Sequence, residues 1–142
     1  MSKILIEVTE EQAGAISKAL DLYVRIGIGQ FDEVAQLVAF GLVPARNAGD
    51  APRQIASPEQ CEQLRNLMDA AKQVLGFSRG ASHGIGHRDN DISVSSAYEV
   101  AKVLDKVLAE HDNPTPEFRG VNYDGLGPRY TNDAAPIAQV VA

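Results

Sequence analysis

The stretch Gly76-Phe-Ser-Arg-Gly-Ala-Ser-His-Gly-Ile-Gly-His-Arg-Asp-Asn-Asp91 separates two strong helical patterns and thereby divides the chain. It contains four glycines, two histidines, two arginines, two serines and two aspartates. A loop of this length without secondary structure of its own is uncommon in a compact domain unless it is functional or disordered. Residues 76–91 are therefore the first place in the sequence to look for a functional site.

A helix is predicted immediately before this loop. Ser57 is a suitable N-cap, Pro58 suits the first helical position, and Gln60 completes a capping box. Apolar residues then recur at helical spacing, and Gly76 is the expected C-cap. The predicted buried stripe consists of Cys61, Leu64, Leu67, Met68, Ala71, Val74 and Leu75.

Another helix is predicted after the loop, ending at Asn113-Pro114. Ser93 to Ser96 provide several N-caps, and Ser96 with Glu99 has the spacing of a capping box. The apolar face of this helix is predicted to consist of Ala97, Val100, Val103, Leu104, Val107 and Leu108.

Two further helices are predicted in the first third of the chain. Thr9-Glu-Glu-Gln12 forms a capping box, and the apolar period that follows predicts a helix over about residues 10–26. Gly27-Ile-Gly29 interrupts the pattern, and a second helix is expected to begin near Gln30. The alternative is a single kinked helix, since each glycine weakens a helix by only about 1 kcal/mol relative to alanine.

The predicted fold is mainly α with a minor β element (α+β), an irregular four-helix bundle with short terminal strands. Residues 1–113 are expected to form a helical domain with an N-terminal strand at Lys3–Val8. Residues 114–142 are expected to be an arm of the same domain that ends in a strand from Pro136. The two strands are expected to pair with each other or with a neighbouring subunit. The apolar tail after a long arm favours a homo-oligomer. Residues 44–56, rich in Pro, Gly, Asn and Asp, are predicted to be a loop.

Composition limits the classes of function. The 142 residues are 44% hydrophobic and 23% charged, which predicts one soluble domain with a single modest core. The net charge of −6 argues against a general nucleic-acid binder. Cys61 is the only cysteine, so no intrachain disulfide is expected. With neither a signal peptide nor a membrane span predicted, a cytoplasmic location is expected.

The arginines indicate a site for an anion. Six of the eight arginines fall in predicted loops, whereas four of the five lysines fall on predicted helices, where we expect them to be solvated. Arginine presents a planar fork of donors suited to phosphate or carboxylate. Ser78-Arg-Gly-Ala-Ser82 adds hydroxyls and backbone amides that can approach a ligand closely. The functional interpretation is an anion or nucleotide pocket, and the alternative is a mobile polar connection between helices.

A metal site is a weaker interpretation of the same loop. His83-Gly-Ile-Gly-His87, followed by Asp89 and Asp91, places two imidazoles and two carboxylates within nine residues. Zinc or another divalent ion accepts such ligands. However, the intervening glycines disfavour the helix that would bring both rings to one face. The sequence therefore predicts no metal ion, no cofactor and no catalytic residue.

Tyr123 and Tyr130 flank Gly125-Leu-Gly-Pro-Arg129 in the C-terminal arm. A nucleobase would stack on a tyrosine there while Arg129 binds a phosphate. The alternative is that both tyrosines pack the arm onto the helices or onto a partner chain.

Three stretches resemble a group of small bacteriophage and prophage proteins: Ala19–Glu33, Ala81–Gly86 and Ala97–Leu104. The resemblance implies a phage accessory protein that acts in the host-cell cytoplasm by binding a host protein or by sequestering a small molecule. It implies no activity and no catalytic residue.

The leading prediction is a non-enzymatic phage-type protein that binds an anionic, nucleotide-like small molecule, such as a host immune signal. The alternatives are a protein-interaction module that inhibits a host factor and a metal-dependent hydrolase. No nucleic-acid or membrane partner is expected. The predicted ligand-binding residues are Arg25, Ser78, Arg79, Ser82, His83, His87, Arg88, Tyr123, Arg129 and Tyr130.

Overall fold

The computed structural model of the chain describes residues 1–46 and 54–142. These residues are mainly helical, as predicted, and they contain no β-strand beyond a single antiparallel bridge between Ala45 and Gln54. The elements are α1 (Glu10–Gly27), α2 (Glu33–Ala39), α3 (Pro58–Val74), α4 (Ile92–Asp112) and a 3-10 helix (Val121–Tyr123). None of the described helices is both long and apolar enough to span a membrane.

The chain divides into two compact units. The terminal unit comprises Met1–Val24 and Ile85–Ala142, and the central unit comprises Arg25–Gly84. The predicted loop over residues 44–56 belongs to the central unit, but residues 47–53, including Arg53, lie outside the described part of the chain.

The capping boxes predicted for α1 and α3 are confirmed. In α1 the Thr9 amide donates to Gln12 Oε1 at 2.9 Å, and the Gln12 amide donates to Thr9 Oγ1 at 3.2 Å. In α3 Ser57 and Gln60 make the same reciprocal pair at 2.9 and 3.2 Å. These side chains satisfy amides that have no partner within their helix.

Helix α4 starts earlier than predicted, because its N-cap lies two to five residues before the N-caps expected at Ser93 to Ser96. The helix begins at Ile92 because Asp91 is its N-cap, whose carboxylate accepts a 2.9 Å hydrogen bond from the Ser93 amide. Hydrogen bonds from the Ser93 side chain and amide lower the pKa of Asp91. Ser96 therefore lies inside the helix, where its hydroxyl donates to the Ile92 carbonyl at 3.3 Å. The Ser96–Glu99 capping box does not form.

The predicted terminal strands are absent from the structure. Lys3–Val8 and Pro136–Ala142 have no strand partner within the described residues. A strand depends on ladder hydrogen bonds and on burial of one face, and neither segment has both. Apolar side chains of both segments are exposed: Ile4, Leu5, Ile6, Ile137, Val140 and Val141.

Helices α1 and α3 end in Schellman motifs, in which a glycine with positive φ closes the last turn. After α1, the Gly29 amide donates to the Ile26 carbonyl at 3.0 Å and the Gln30 amide donates to the Arg25 carbonyl at 2.8 Å. After α3, the amides of Gly76 and Phe77 make the equivalent bonds at 3.0 and 3.2 Å, so the predicted C-cap glycine is confirmed. These two helix endings lie beside the pocket of the central unit that is described below.

The buried face of α3 differs from its predicted stripe. Leu67, Val74 and Leu75 were assigned to the core, but they are exposed. The residues that α3 turns inward recur at intervals of three or four positions: Cys61, Leu64, Met68 and Lys72. A lysine thus occupies a core position in the last turn of the helix.

Gly14 and Gly29 offer a matched pair of alanine substitutions. Gly29 has a φ of +91°, and an added Cβ would lie 2.8 Å from the Phe77 ring, whereas nothing lies within 4 Å of a Cβ at Gly14 in the middle of α1. Gly29→Ala is therefore expected to lower the free energy of unfolding by about 2 kcal/mol. Gly14→Ala is expected to raise it by up to about 1 kcal/mol. Urea unfolding measures both changes, and a shift of the same sign in the two variants would contradict the packing of Phe77 on Gly29.

Candidate functional site

The central unit contains a pocket of about 430 Å³. It lies among the end of α1, one side of α2, the end of α3 and the first half of residues 76–91, which we call the glycine-rich loop. Its volume is within the range of small-molecule sites, but its lining is more polar than that of a typical drug pocket. The lining residues are Arg25, Gln30, Asp32, Glu33, Gln36, Phe40, Lys72, Gly80 and Ser82.

Backbone hydrogen bonds bring the walls of this pocket together. The Schellman ending of α3 directs the chain so that the Phe77 ring packs against Gly29. Six residues later the His83 amide donates to the Ile28 carbonyl at 2.8 Å, and its ring lies 5.0 Å from that of Phe77. The turn after α1 and the glycine-rich loop are therefore joined at two points.

Lys72 is the most informative residue of the pocket. Only 3% of its surface is exposed, and its Nζ atom lies 5.9 Å from the centre of the Phe77 ring. Within the described part of the chain it makes no ion pair. The burial is that of the whole side chain. The ammonium itself keeps some contact with solvent, because no buried side-chain nitrogen or oxygen of the described residues lacks a hydrogen-bond partner. A cation on the wall of a pocket is suited to receive an anion, and contact with one aromatic face contributes only about 1–2 kcal/mol.

Two of the remaining charged groups already interact with each other. The Arg25 guanidinium donates to Gln30 Oε1 at 3.1 Å and lies 3.8 Å from Glu33 Oε2. Asp32 is the N-cap of α2 but makes no side-chain capping bond. Lys72 and Asp32 therefore supply the positive and negative charges that are left for a ligand.

The structure brings only some of the predicted site residues of the central unit to this pocket. Arg25 and Ser82 line it, whereas Ser78, Arg79 and His83 do not. The Arg79 side chain is 77% exposed and forms a 3.0 Å ion pair with Asp69.

The other predicted site residues belong to the terminal unit. The Arg88 side chain is 90% exposed, and its guanidinium lies 3.8 Å from the Asp89 carboxylate. His87 Nδ1 accepts a 3.2 Å hydrogen bond from the Asp89 amide. The Tyr123 hydroxyl lies 3.0 and 3.1 Å from the carbonyl oxygens of Ala109 and Asn113, where it caps the end of α4. Among the described residues no three His, Cys, Asp or Glu side chains are grouped so as to hold a metal ion.

Arg129 and Tyr130 bind to Glu99, a residue whose role the sequence did not reveal. Glu99 is 2% exposed, and its carboxylate accepts hydrogen bonds from the Arg129 guanidinium at 3.1 Å and from the Tyr130 amide at 2.9 Å. The Thr131 amide and hydroxyl donate to it at 3.0 and 2.8 Å. Burial raises the pKa of Glu99, but the hydrogen bonds from Thr131, Arg129 and Tyr130 outweigh it and lower the pKa to about 2. This cluster fixes the C-terminal arm to α4.

The terminal unit has a somewhat larger opening, of about 490 Å³, between α1 and α4. Four carboxylates line it: Glu10, Glu11, Asp105 and Asp112. Such a lining repels an anion, and the pocket of the central unit is therefore the better site for the predicted ligand.

Lys72 was missed because helical lysines are normally solvated. A weak signal is nevertheless present in the sequence, since Lys72 lies four residues after Met68 and eleven after Cys61, on the same side of an α-helix.

Comparison of the chain with protein-family models, with curated proteins and with solved structures finds no match.

Proposed function

We propose that this protein binds an anionic, nucleotide-like small molecule and does not chemically change it. The observation that carries the proposal is Lys72, whose side chain is largely buried, lines a pocket of suitable volume and makes no ion pair within the described residues. An anionic group in the pocket would form a charge-assisted interaction with its ammonium.

Neighbouring groups supply further donors for the anion. Ser82, Arg25 and Gly80 line the same pocket. The Gly80 amide makes a long contact, 3.4 Å, with Asp69 Oδ1. Charge-assisted hydrogen bonds of this kind are stronger than neutral ones, and backbone amides at glycines allow a phosphate to approach closely.

The ligand contacts predicted for Tyr123, Arg129 and Tyr130 are not part of this proposal. The Tyr123 hydroxyl, the Arg129 guanidinium and the Tyr130 amide already make hydrogen bonds within the terminal unit, and a ligand would have to compete with those bonds. In the phage context that the sequence resemblance implies, the proposed role is sequestration of a nucleotide signal in the host cytoplasm. That role requires binding and release of the ligand in unchanged form.

Calorimetry tests the proposal directly. The purified protein is titrated with inorganic phosphate, ribose 5-phosphate, mononucleotides and cyclic nucleotides, and the ligand is then recovered and analysed by ³¹P NMR. We expect saturable binding of at least one nucleotide and recovery of that nucleotide unchanged. Absence of binding across the whole panel, or conversion of the bound nucleotide to a product, would refute a non-enzymatic binder.

A protein-interaction module is the second candidate. The observation that favours it is the exposed apolar side of α3, where Leu67, Val74 and Leu75 are 61%, 85% and 64% exposed. As part of this second proposal, we expect the protein to form a homo-oligomer. We also expect its helices to form one irregular bundle and its terminal segments to pair across a subunit interface. Leu67→Glu combined with Val74→Glu separates the two candidates. It would abolish protein association without changing nucleotide affinity. The metal-dependent hydrolase gains no support from the arrangement of the described side chains.

A further inference from the structure

We infer that the pocket selects guanine among the nucleobases and that Asp32, Gln36 and Phe40 recognise the base. The inference rests on the proposed function, because it assigns a role to further residues that line the same pocket. Lys72 accounts for an anion but leaves the opposite charge of Asp32 unexplained. A site for a simple anion would be weakened by an unpaired carboxylate in its wall.

The three residues occur at intervals of four along one side of α2. Asp32 is the N-cap, Gln36 lies in the helix and Phe40 is the C-cap, and all three line the pocket. Residues spaced by four share a helix face. The chain therefore presents a carboxylate, an amide and an aromatic ring in one row. Phe40 is 74% exposed, so its ring is accessible to a flat ligand.

The row offers the groups that proteins use to recognise a base. Extruded or single-stranded bases are stacked on aromatic side chains and hydrogen-bonded along their Watson–Crick edge. Phe40 provides the stacking surface. Gln36 carries both a donor and an acceptor, and is suited to the O6 atom beside that edge.

The carboxylate of Asp32 makes the choice among bases. Guanine presents two adjacent donors, N1–H and the N2 amino group, which match the two oxygens of one carboxylate. Adenine and cytosine present one amino donor beside a ring-nitrogen acceptor, whose lone pair faces the second oxygen unfavourably. Uracil presents one N–H between two carbonyl acceptors. Each mismatched base makes one charge-assisted hydrogen bond fewer with Asp32, so we expect it to bind more weakly.

Asp32 is available for this role within the described residues. Its carboxylate makes no capping hydrogen bond, although the N-cap is the position at which aspartate usually makes one. The nearby carboxylate of Glu33 lies 3.8 Å from the Arg25 guanidinium instead. The pocket thus has a cationic end at Lys72 for the phosphate and a carboxylate at Asp32 for the base.

The test compares four ligands: GMP, IMP, which lacks the N2 amino group, AMP, and ribose 5-phosphate, which lacks a base. Isothermal titration of the full chain is expected to give affinities in the order GMP, IMP, AMP, with about a tenfold loss for each charge-assisted hydrogen bond removed. Asp32→Asn is expected to lower GMP affinity about tenfold or more and to leave ribose 5-phosphate affinity unchanged or higher. Phe40→Leu is expected to weaken all three nucleotides but not ribose 5-phosphate. Glu62→Gln, an exposed carboxylate on α3, is the control and should change none of these affinities.

The outcomes separate the inference from the proposed function. Equal binding of GMP and AMP, or a GMP affinity that survives Asp32→Asn, overturns guanine selection while the anion site stands. No binding of any ligand overturns both. If circular dichroism shows that Asp32→Asn is unfolded, Gln36→Ala takes its place, and an unchanged ratio of GMP to AMP affinity in that variant also overturns the inference.

Discussion

Replacing Lys72 with methionine is expected to weaken anion binding strongly while leaving the protein at least as stable as the original. Loss of the ammonium removes a charge-assisted interaction, which lowers nucleotide affinity by about 10- to 100-fold. Methionine keeps the length of the side chain and its contact with Phe77. It also replaces a charged side chain that is largely buried by an apolar one of similar size, so the free energy of unfolding is expected to rise by about 1 kcal/mol.

The opposite directions of these two effects make the Lys72 experiment decisive. A residue that only supports the fold would lose stability and binding together when replaced. Lys18→Met is the control, because Lys18 is exposed on α1 and lines neither pocket. Calorimetry and urea unfolding are measured for both variants. Unchanged nucleotide affinity in Lys72→Met would remove the basis of the anion site. A loss of several kcal/mol would show that the ammonium stabilises the fold.

Replacing Glu99 with alanine is expected to destabilise the protein by about 3–5 kcal/mol. Its carboxylate is the common acceptor for Arg129, Tyr130 and Thr131, and the change leaves several donors without a partner in a buried setting. Circular dichroism during urea unfolding measures the loss. Glu110→Gln is the matched control on the same helix. Its pair with Lys106 is 2.7 Å long and partly exposed to solvent, so the expected loss is below about 1 kcal/mol.

The pH dependence of stability is an independent test of the role of Glu99. Because its pKa is about 2 in the folded protein and its ordinary value is 4.5, the carboxylate stabilises the fold fully above pH 4.5. That contribution decreases as the pH falls from 4.5 towards 2, where the carboxylate becomes protonated in both states. The difference in stability between the original protein and Glu99→Gln is therefore expected to shrink over this range. A difference that stays constant between pH 6 and pH 3 would show that the ionised carboxylate is not what holds the arm.

Much of the secondary structure could be predicted because its causes are local. The boxes at Thr9 and Ser57 and the glycine after α3 act within a few residues, and each formed as predicted. The start of α4 was misplaced because Asp91 and Ser96 are both good N-caps, and local preference alone does not choose between them. The terminal strands are absent from the described residues, since a strand depends on a partner segment that local sequence does not supply.

The candidate site was only half predictable. The glycine-rich loop and Arg25 were identified from residue type and from the glycines that end the helices. The structure places the first half of that loop beside the turn after α1. Arg79 and Arg129 were chosen by the same reasoning, but their guanidinium groups pair with Asp69 and Glu99. Residue type shows what a side chain can bind. It does not show whether another part of the protein has already bound it.

The sequence by itself determined the approximate positions of the helices, the absence of an intrachain disulfide and the concentration of anion-binding groups in one loop. Only the tertiary structure decided that Lys72 is buried and that Glu99 fastens the C-terminal arm. Both are charged residues on amphipathic helices, where solvent exposure is the usual outcome. Burial and pairing depend on which distant segments pack against a helix, and that information is not contained in the local pattern.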